Sequence, residues 1–220
     1  MDRTFRDGLR AVAPFAVAVA AFGVSFGVLA RAAGMGSVAP VVMSITTFGG
    51  SAQFAAAAIL GEGGGVAAAV AAAVLLNSRY VPIGVTVAPW LPGGVVSRFL
   101  RAHLVVDETW ALAAEGDGRY DPGVLLAAGL TLLPAWVGGT LAGVLLGDVL
   151  PDPETLGLDA AFPALFLGLL LPQVRGKRVA AVAGAAIALV LTPVTPVGVP
   201  IVAAAAATLL GLLGLREDAR

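Results

Sequence analysis

The chain has no cysteine and a single histidine, His103, among its 220 residues. A disulfide framework and a thiolate metal site are therefore excluded, and a histidine-based metal site lacks ligands. No nucleophile, base and orienting group stand at spacings that would assemble a catalytic set, so the sequence does not read as an enzyme and implies no cofactor. Charge is scarce as well. Only 12% of the residues are charged, about half the share in an ordinary soluble domain, and the net charge is −1. That balance offers no basic surface for nucleic acid. Between residues 11 and 97 the charges are Arg31, Glu62 and Arg79, and residues 32–61 carry none.

What fills the chain instead is apolar, at 59% of residues. A helix needs about 20 such residues to cross the hydrocarbon layer, and the uncharged runs fall near that length: 11–30, 38–60, two shorter pieces at 63–78 and 80–96, then 122–147, 160–174, and 179–215 divided by Pro193, Pro196 and Pro200. The N-terminus has a basic start, but its apolar part outlasts a signal core, so it reads as a first span. The expectation is an all-α integral membrane protein. It is a polytopic helical bundle of about seven spans (six to eight), with broken or re-entrant helices. Residues 1–220 form one domain: a first half (1–92), a central polar and amphipathic connector (93–121) and a second half (122–220).

Lysine and arginine in short loops set the orientation. Arg3, Arg6 and Arg10 place the N-terminus in the cytoplasm, as do Arg175, Lys177 and Arg178 for their loop, whereas Asp148, Asp152, Glu154 and Asp159 mark an external loop. Arg98, Arg101 and Arg119 favour the cytoplasm for the connector, which fits a 63–96 segment that goes out and back. A single broken crossing there would instead require residues 95–115 to return. Residues 63–85 and 176–199 also echo one another: an alanine-rich stretch, a polar or proline break, then Pro-x-Gly-Val. Paired broken helices of this kind line substrate sites in many secondary transporters.

Three polar constellations interrupt the apolar runs. Gly49-Gly50 predicts a helix break, because glycine is a poor helix former. The freed amides of Gly50, Ser51 and Ala52 would then suit a carboxylate, with Ser44, Thr46, Thr47, Ser51 and Gln53 adding side-chain groups. The same residues serve close helix packing equally well. Asn77-Ser78-Arg79-Tyr80 puts a cation at the seam of two short apolar pieces, where Arg79 either faces a cavity or extends toward the headgroups. In residues 101–112 a continuous helix would set His103, Asp107 and Trp110 on one face and Arg101, Val105 and Glu108 on another. That arrangement is either a proton relay of Asp107, Glu108 and His103 or an amphipathic helix at the interface. Gly23-x-x-x-Gly27, Gly139-x-x-x-Gly143 and Gly143-x-x-x-Gly147 are helix-contact faces.

Taken in order, RDGLRAVAPFAVAVAAFGVSFGVLARAAG, MSITTFGGSAQFAAAAIL, LLNSRYVPIGVTVAPWL, LVVDETWAL and LDAAFPALFLGLLLPQV resemble the AzlC family, the large subunits of bacterial branched-chain amino acid exporters. The resemblance spans nearly the whole chain. It implies a multi-pass protein of the bacterial plasma (inner) membrane that exports valine, leucine, isoleucine or related amino acids together with a small AzlD-type membrane subunit. Family members are sometimes labelled permeases of ATP-driven systems, yet this chain has no phosphate-binding loop. On this resemblance the substrate-binding residues are Gly49, Gly50, Ser51, Gln53, Phe54, Asn77, Arg79 and Tyr80. Phe48, Phe54 and Phe166 would receive the apolar side chain, and Asp107 or Glu108 would either meet the substrate ammonium or, with His103, carry a coupling proton.

Overall fold

The computed structural model describes residues 5–147, 178–195 and 199–205. The expected 160–174 span, its flanking acidic loop, Arg175 and Lys177 of its basic loop, Phe166, Pro196, residues 206–215 of the last apolar stretch and the first arginine, Arg3, lie outside those residues. Within them the chain is helical apart from one short ribbon. Its elements are α1 (Phe5–Ala32), α2 (Val38–Thr47), α3 (Gly50–Gly61), α4 (Val66–Asn77), α5 (Tyr80–Val87), α6 (Val95–Ala102), α7 (Asp107–Ala113), β1 (Ala114–Gly116), β2 (Arg119–Tyr120), α8 (Pro122–Gly147), α9 (Arg178–Leu191) and α10 (Val199–Ala205). Among the described residues three helices are long and apolar enough to cross a membrane: α1, the Val66–Trp90 unit formed by α4, α5 and a short 3₁₀ turn, and α8. The protein is a helical, multi-pass membrane protein.

The frame is the α1–α8 pair, the most extensive helix contact in the described residues. Their glycines face one another. A Cβ at Gly23 would stand 2.6 Å from the Trp136 carbonyl oxygen, one at Gly27 2.7 Å from the Val144 nitrogen, and one at Gly143 2.8 Å from the Val24 carbonyl carbon. Only hydrogen at Cα lets the two backbones approach so closely, and in a lipid setting such packing drives helix association. The two glycine-x-x-x-glycine faces expected from sequence are thus the two sides of one seam.

The register of that seam fixes direction. Gly8 lies against Val124 and Ala127, and Gly147 lies against Val28 and Arg31, so α1 and α8 run parallel and begin at the same end of the bundle. The chain must therefore return to that end between them. It does so through α4–α5 alone. Ser78 and Arg79 keep right-handed helical dihedrals at the joint, and α4 and α5 do not pack side by side. The unit ends at Trp90, under the guanidinium of Arg119 and close to the start of α8. The out-and-back path favoured by charge counting is corrected accordingly: Arg79 sits within one long broken helix, not at a hairpin tip.

Residues 38–60, expected as a span, instead form a dip. α2 leaves the far end and the chain turns at Phe48-Gly49, so that Gly50 faces the Trp136 indole, midway along α8. α3 then carries it back until Gly61 stands beside Ala33, where α1 ends. A second dip comes from the opposite end. After Trp90 the chain runs through α6 to His103 and Leu104, which packs on Gly129, and α7 returns until the Ala113 carbonyl accepts the Asp121 N–H at 2.8 Å. The β1–β2 ribbon closes that return over Asp117-Gly118, both at positive φ as a two-residue hairpin turn requires.

The two halves of the internal echo differ. α9 and α10 lean on one another, and α10 touches α4, whereas α4 and α5 continue end to end.

Replacing Gly143 by alanine is expected to destabilise the protein by about 2–3 kcal/mol, because the methyl would meet helix backbone that cannot yield. Gly138→Ala, five residues earlier on a face with nothing within 4 Å, should be neutral or stabilising by up to about 1 kcal/mol. Heat denaturation of the two variants in detergent compares them directly.

Candidate functional site

The opening in the first dip falls at Phe48 and Gly49. Phe48 adopts φ 42° and ψ 48°, the left-handed region, and Gly49 takes φ −138° and ψ 86° before α3 begins. A phenylalanine held there stores about 1–2 kcal/mol of backbone strain, so the surroundings must fix it. They do so through a closed ring of hydrogen bonds. Gln53, wholly buried, accepts the Gly49 N–H (3.3 Å) and the Trp136 indole N–H (3.0 Å) on Oε1. Because both partners only donate, Nε2 points the other way and donates to Ser44 Oγ at 2.9 Å. Thr140 spends its proton on the Trp136 carbonyl at 2.9 Å, so Ser44 is the donor in the 2.8 Å Ser44–Thr140 contact. Ser44 and Thr140 are as fully buried as Gln53.

The aromatic residues beside this ring bind three helices together. Phe26 of α1 stacks on Trp136 at 5.9 Å, and Phe54 of α3 meets Phe26 edge-on at 5.7 Å and Trp136 at 6.2 Å. Such rings bury large apolar area with a fixed mutual geometry.

The tip of the second dip is set by Thr109. Its hydroxyl accepts the Val106 N–H at 2.9 Å and donates to the Leu104 carbonyl at 2.9 Å. With Val106 extended, a new helix starts at Asp107. The continuous 101–112 helix expected from sequence is corrected here: residues 103–106 are not helical, and the two shared faces do not form. A hydroxyl at the third helical position reaching back to the N-cap amide was the local signal for that start.

The dips meet midway, and a cavity of about 540 Å³ opens beside their tips, bounded by Val19, Phe22, Phe48, Gly50, Ser51, Phe54, Leu76, Arg79, Tyr80, Val106, Asp107, Glu108, Leu132 and Trp136. Its wall is mostly apolar. The polar groups gather on one side. Arg79 pairs with Asp107 at 2.8 Å, the two side chains being 39% and 45% exposed. The same guanidinium donates to the Tyr80 hydroxyl at 3.2 Å and lies 5.1 Å from the centre of its ring. Ser51 Oγ is buried and meets no hydrogen-bond partner among the described residues.

Of the residues singled out from sequence, Phe48, Gly50, Ser51, Phe54, Arg79, Tyr80, Asp107 and Glu108 line this cavity. Gly49, Gln53, Asn77 and His103 do not. Gln53 braces the opening, and the Asn77 amide lies against Gly49, where a Cβ would come within 2.6 Å of its Oδ1. His103 donates from Nε2 to the Ile45 carbonyl at 2.8 Å, a group left free by the ending of α2, and its ring stands 6.3 Å from Phe48. It therefore links the two dips. Val19, Phe22, Leu132 and Trp136 were not singled out from sequence, since single apolar residues in apolar helices carry no signal.

Gln53→Ala leaves Ser44, the Gly49 N–H and the indole N–H unmatched and should lower stability by about 3 kcal/mol. Trp136→Phe, which removes a single donor and keeps most of the ring, should cost about 1 kcal/mol. Thermal unfolding of both variants in detergent would rank them.

The family description "AzlC protein" matches residues 14–150. An uncharacterized membrane protein of Archaeoglobus fulgidus is 34% identical over 194 residues, covering 84% of this chain and 83% of the relative. The branched-chain amino acid transport protein AzlC of Bacillus subtilis is 24% identical over 173 residues, covering 77% and 67%. An uncharacterized membrane protein of Helicobacter pylori is 23% identical over 176 residues, covering 79% and 77%. No solved structure matches the chain. The family match covers well over half of the sequence, including both dips and all three long helices, and the chain belongs to the AzlC family.

Proposed function

We propose that this protein is the large subunit of a secondary exporter of branched-chain amino acids, acting with a small AzlD-type membrane subunit and driven by protons. The single observation that carries the reading is the cavity at the meeting of the two dips, mostly apolar with a cluster of polar groups on one side. Its size lies within the range of about 300–1,000 Å³ typical of small-molecule sites. A branched-chain amino acid has the matching division, an aliphatic side chain joined to a zwitterion.

The aliphatic part rests against Phe22, Phe54, Leu132 and Trp136. The carboxylate meets the N-terminus of α3, where the amides of Gly50 and Ser51 have no helical acceptor and the Ser51 hydroxyl is unpaired. Gln53 and Asn77 act through the opening that they hold, without touching substrate. Alternating access follows from the fold: one dip closes the cavity toward each end, so withdrawal of either one opens a single side. In the bacterial plasma membrane, with the N-terminus cytoplasmic, α1 and α8 both begin on the cytoplasmic side. Arg98, Arg101 and Arg119 then lie near that face, as charge counting asks.

Cells loaded with labelled leucine, valine or isoleucine and expressing the chain with its small partner should release the label faster than cells lacking it. Ser51→Ala is expected to slow release about tenfold at unchanged membrane abundance, the loss of one charge-assisted hydrogen bond. Gln53→Ala should lower abundance and release together. Release no faster than in the empty strain for all three amino acids would reject the exporter reading.

A further inference from the structure

The charges that line the cavity do not balance. Among the described residues three charged side chains line it: Arg79, Asp107 and Glu108. The Arg79 guanidinium is paired with Asp107 at 2.8 Å and bonded to the Tyr80 hydroxyl at 3.2 Å, both through Nη2, with the ring of Tyr80 beneath it, while its buried Nε meets no hydrogen-bond partner among the described residues. That pair is neutral as a unit. Glu108, next in sequence, is exposed into the same space and makes no salt bridge among the described residues. Among the described residues the cavity thus holds one carboxylate in excess, beside a mostly apolar wall. An unpaired charge in such surroundings is costly and calls for a cation.

Resting on the exporter reading, we propose that Glu108 is the specificity-determining residue that recognises the primary ammonium of the substrate. The substrate class narrows accordingly. It consists of small aliphatic molecules with a free ammonium group, whereas the corresponding carboxylic acids lacking the amine are excluded, since they would add a second uncompensated negative charge. The carboxylate contributes less to selection than the ammonium does, because its partners are neutral: the backbone amides at the start of α3 and the Ser51 hydroxyl. A site built to pair a buried polar group rejects the analogue lacking that group strongly, because the protein side is then left unmatched.

Three ligands separate the two ends of the molecule: leucine, leucinamide, which keeps the ammonium and loses the carboxylate charge, and 4-methylpentanoate, which keeps the carboxylate and lacks the amine. Equilibrium binding to the full-length chain purified in detergent together with its small partner should rank leucine and leucinamide together, with 4-methylpentanoate at least tenfold weaker. Glu108→Gln should weaken leucine and leucinamide ten- to hundredfold and leave 4-methylpentanoate unchanged or improved, so that the preference disappears. Glu108→Asp, which keeps the charge, should retain the preference. Asp107→Asn frees Arg79 and should raise the affinity for 4-methylpentanoate. The proposal is overturned if Glu108→Gln weakens all three ligands by the same factor, or if it keeps the preference for the amine while abolishing only the dependence of efflux on a proton gradient. The second result would make Glu108 the coupling group. An unaltered chain that binds leucine but shows no preference for the amine overturns the Glu108 assignment alone. One that binds none of the three overturns the exporter reading with it.

Discussion

An opened helix inside an apolar protein must find partners for the backbone groups it frees, and the rest of this structure is arranged around that obligation. In hydrocarbon each unmatched amide or carbonyl costs several kcal/mol. The first dip meets the demand with side chains: Gln53 takes the Gly49 amide, and His103 donates to the Ile45 carbonyl at the end of α2. Neither residue acts alone. Gln53 is itself held by Trp136, Ser44 and Thr140, and a polar network confers rigidity only when every member is satisfied. The ring has no loose end, so Phe48 stays in a conformation it would otherwise leave.

That ring depends in turn on the glycine seam. Trp136 and Thr140 lie on the part of α8 that Gly23 and Gly27 approach, and the Trp136 and Thr140 backbones are themselves the surfaces that those glycines touch. Packing of α1 against α8 therefore fixes the depth and rotation of both residues before the first dip can bind to them. The frame precedes the site: a rigid parallel pair carries the polar side chains, and the dips, built from shorter helices, are positioned by them. The second dip uses a different device, the Thr109 hydroxyl holding its own loop. It leans on α8 through apolar contact at Leu104 and Gly129.

Much of this was legible in the sequence, and the failures share a cause. The glycine faces, the break near Gly49-Gly50 and the polar seam at Arg79 follow from residue chemistry alone. The break lies one residue earlier than the glycine pair suggests, because the left-handed position fell on Phe48, whose conformation is imposed from outside by the ring. Hydropathy could not tell a dip from a span at 38–60, since an uncharged run of that length satisfies either, and the contact of Gly61 with Ala33 decides it. Charge counting misdirected the path at 63–96 because it assumes that a charge between apolar runs marks a loop. Arg79 has no need of a loop, since Asp107 arrives from another element to meet it. Long-range partners of that kind leave no periodic trace.

The arrangement also indicates where the molecule can move. Contacts within the frame are backbone to backbone and leave no space for sliding, as the glycine distances require. Contacts between the two dips are few and made by side chains: His103 on the Ile45 carbonyl and the edge of Phe48 beside the His103 ring. The tie between the second dip and the α4–α5 joint is likewise a single ion pair, half open to the cavity, and pairs so exposed contribute only about 0–1 kcal/mol. Bistable behaviour belongs where a small number of contacts can be exchanged as a set, and packed seams are poor hinges. The contacts easiest to exchange thus lie where the second dip meets the first dip and the α4–α5 joint, beside Glu108. A ligand that neutralises Glu108 acts at the junction whose contacts are easiest to exchange, so binding and opening draw on the same few side chains.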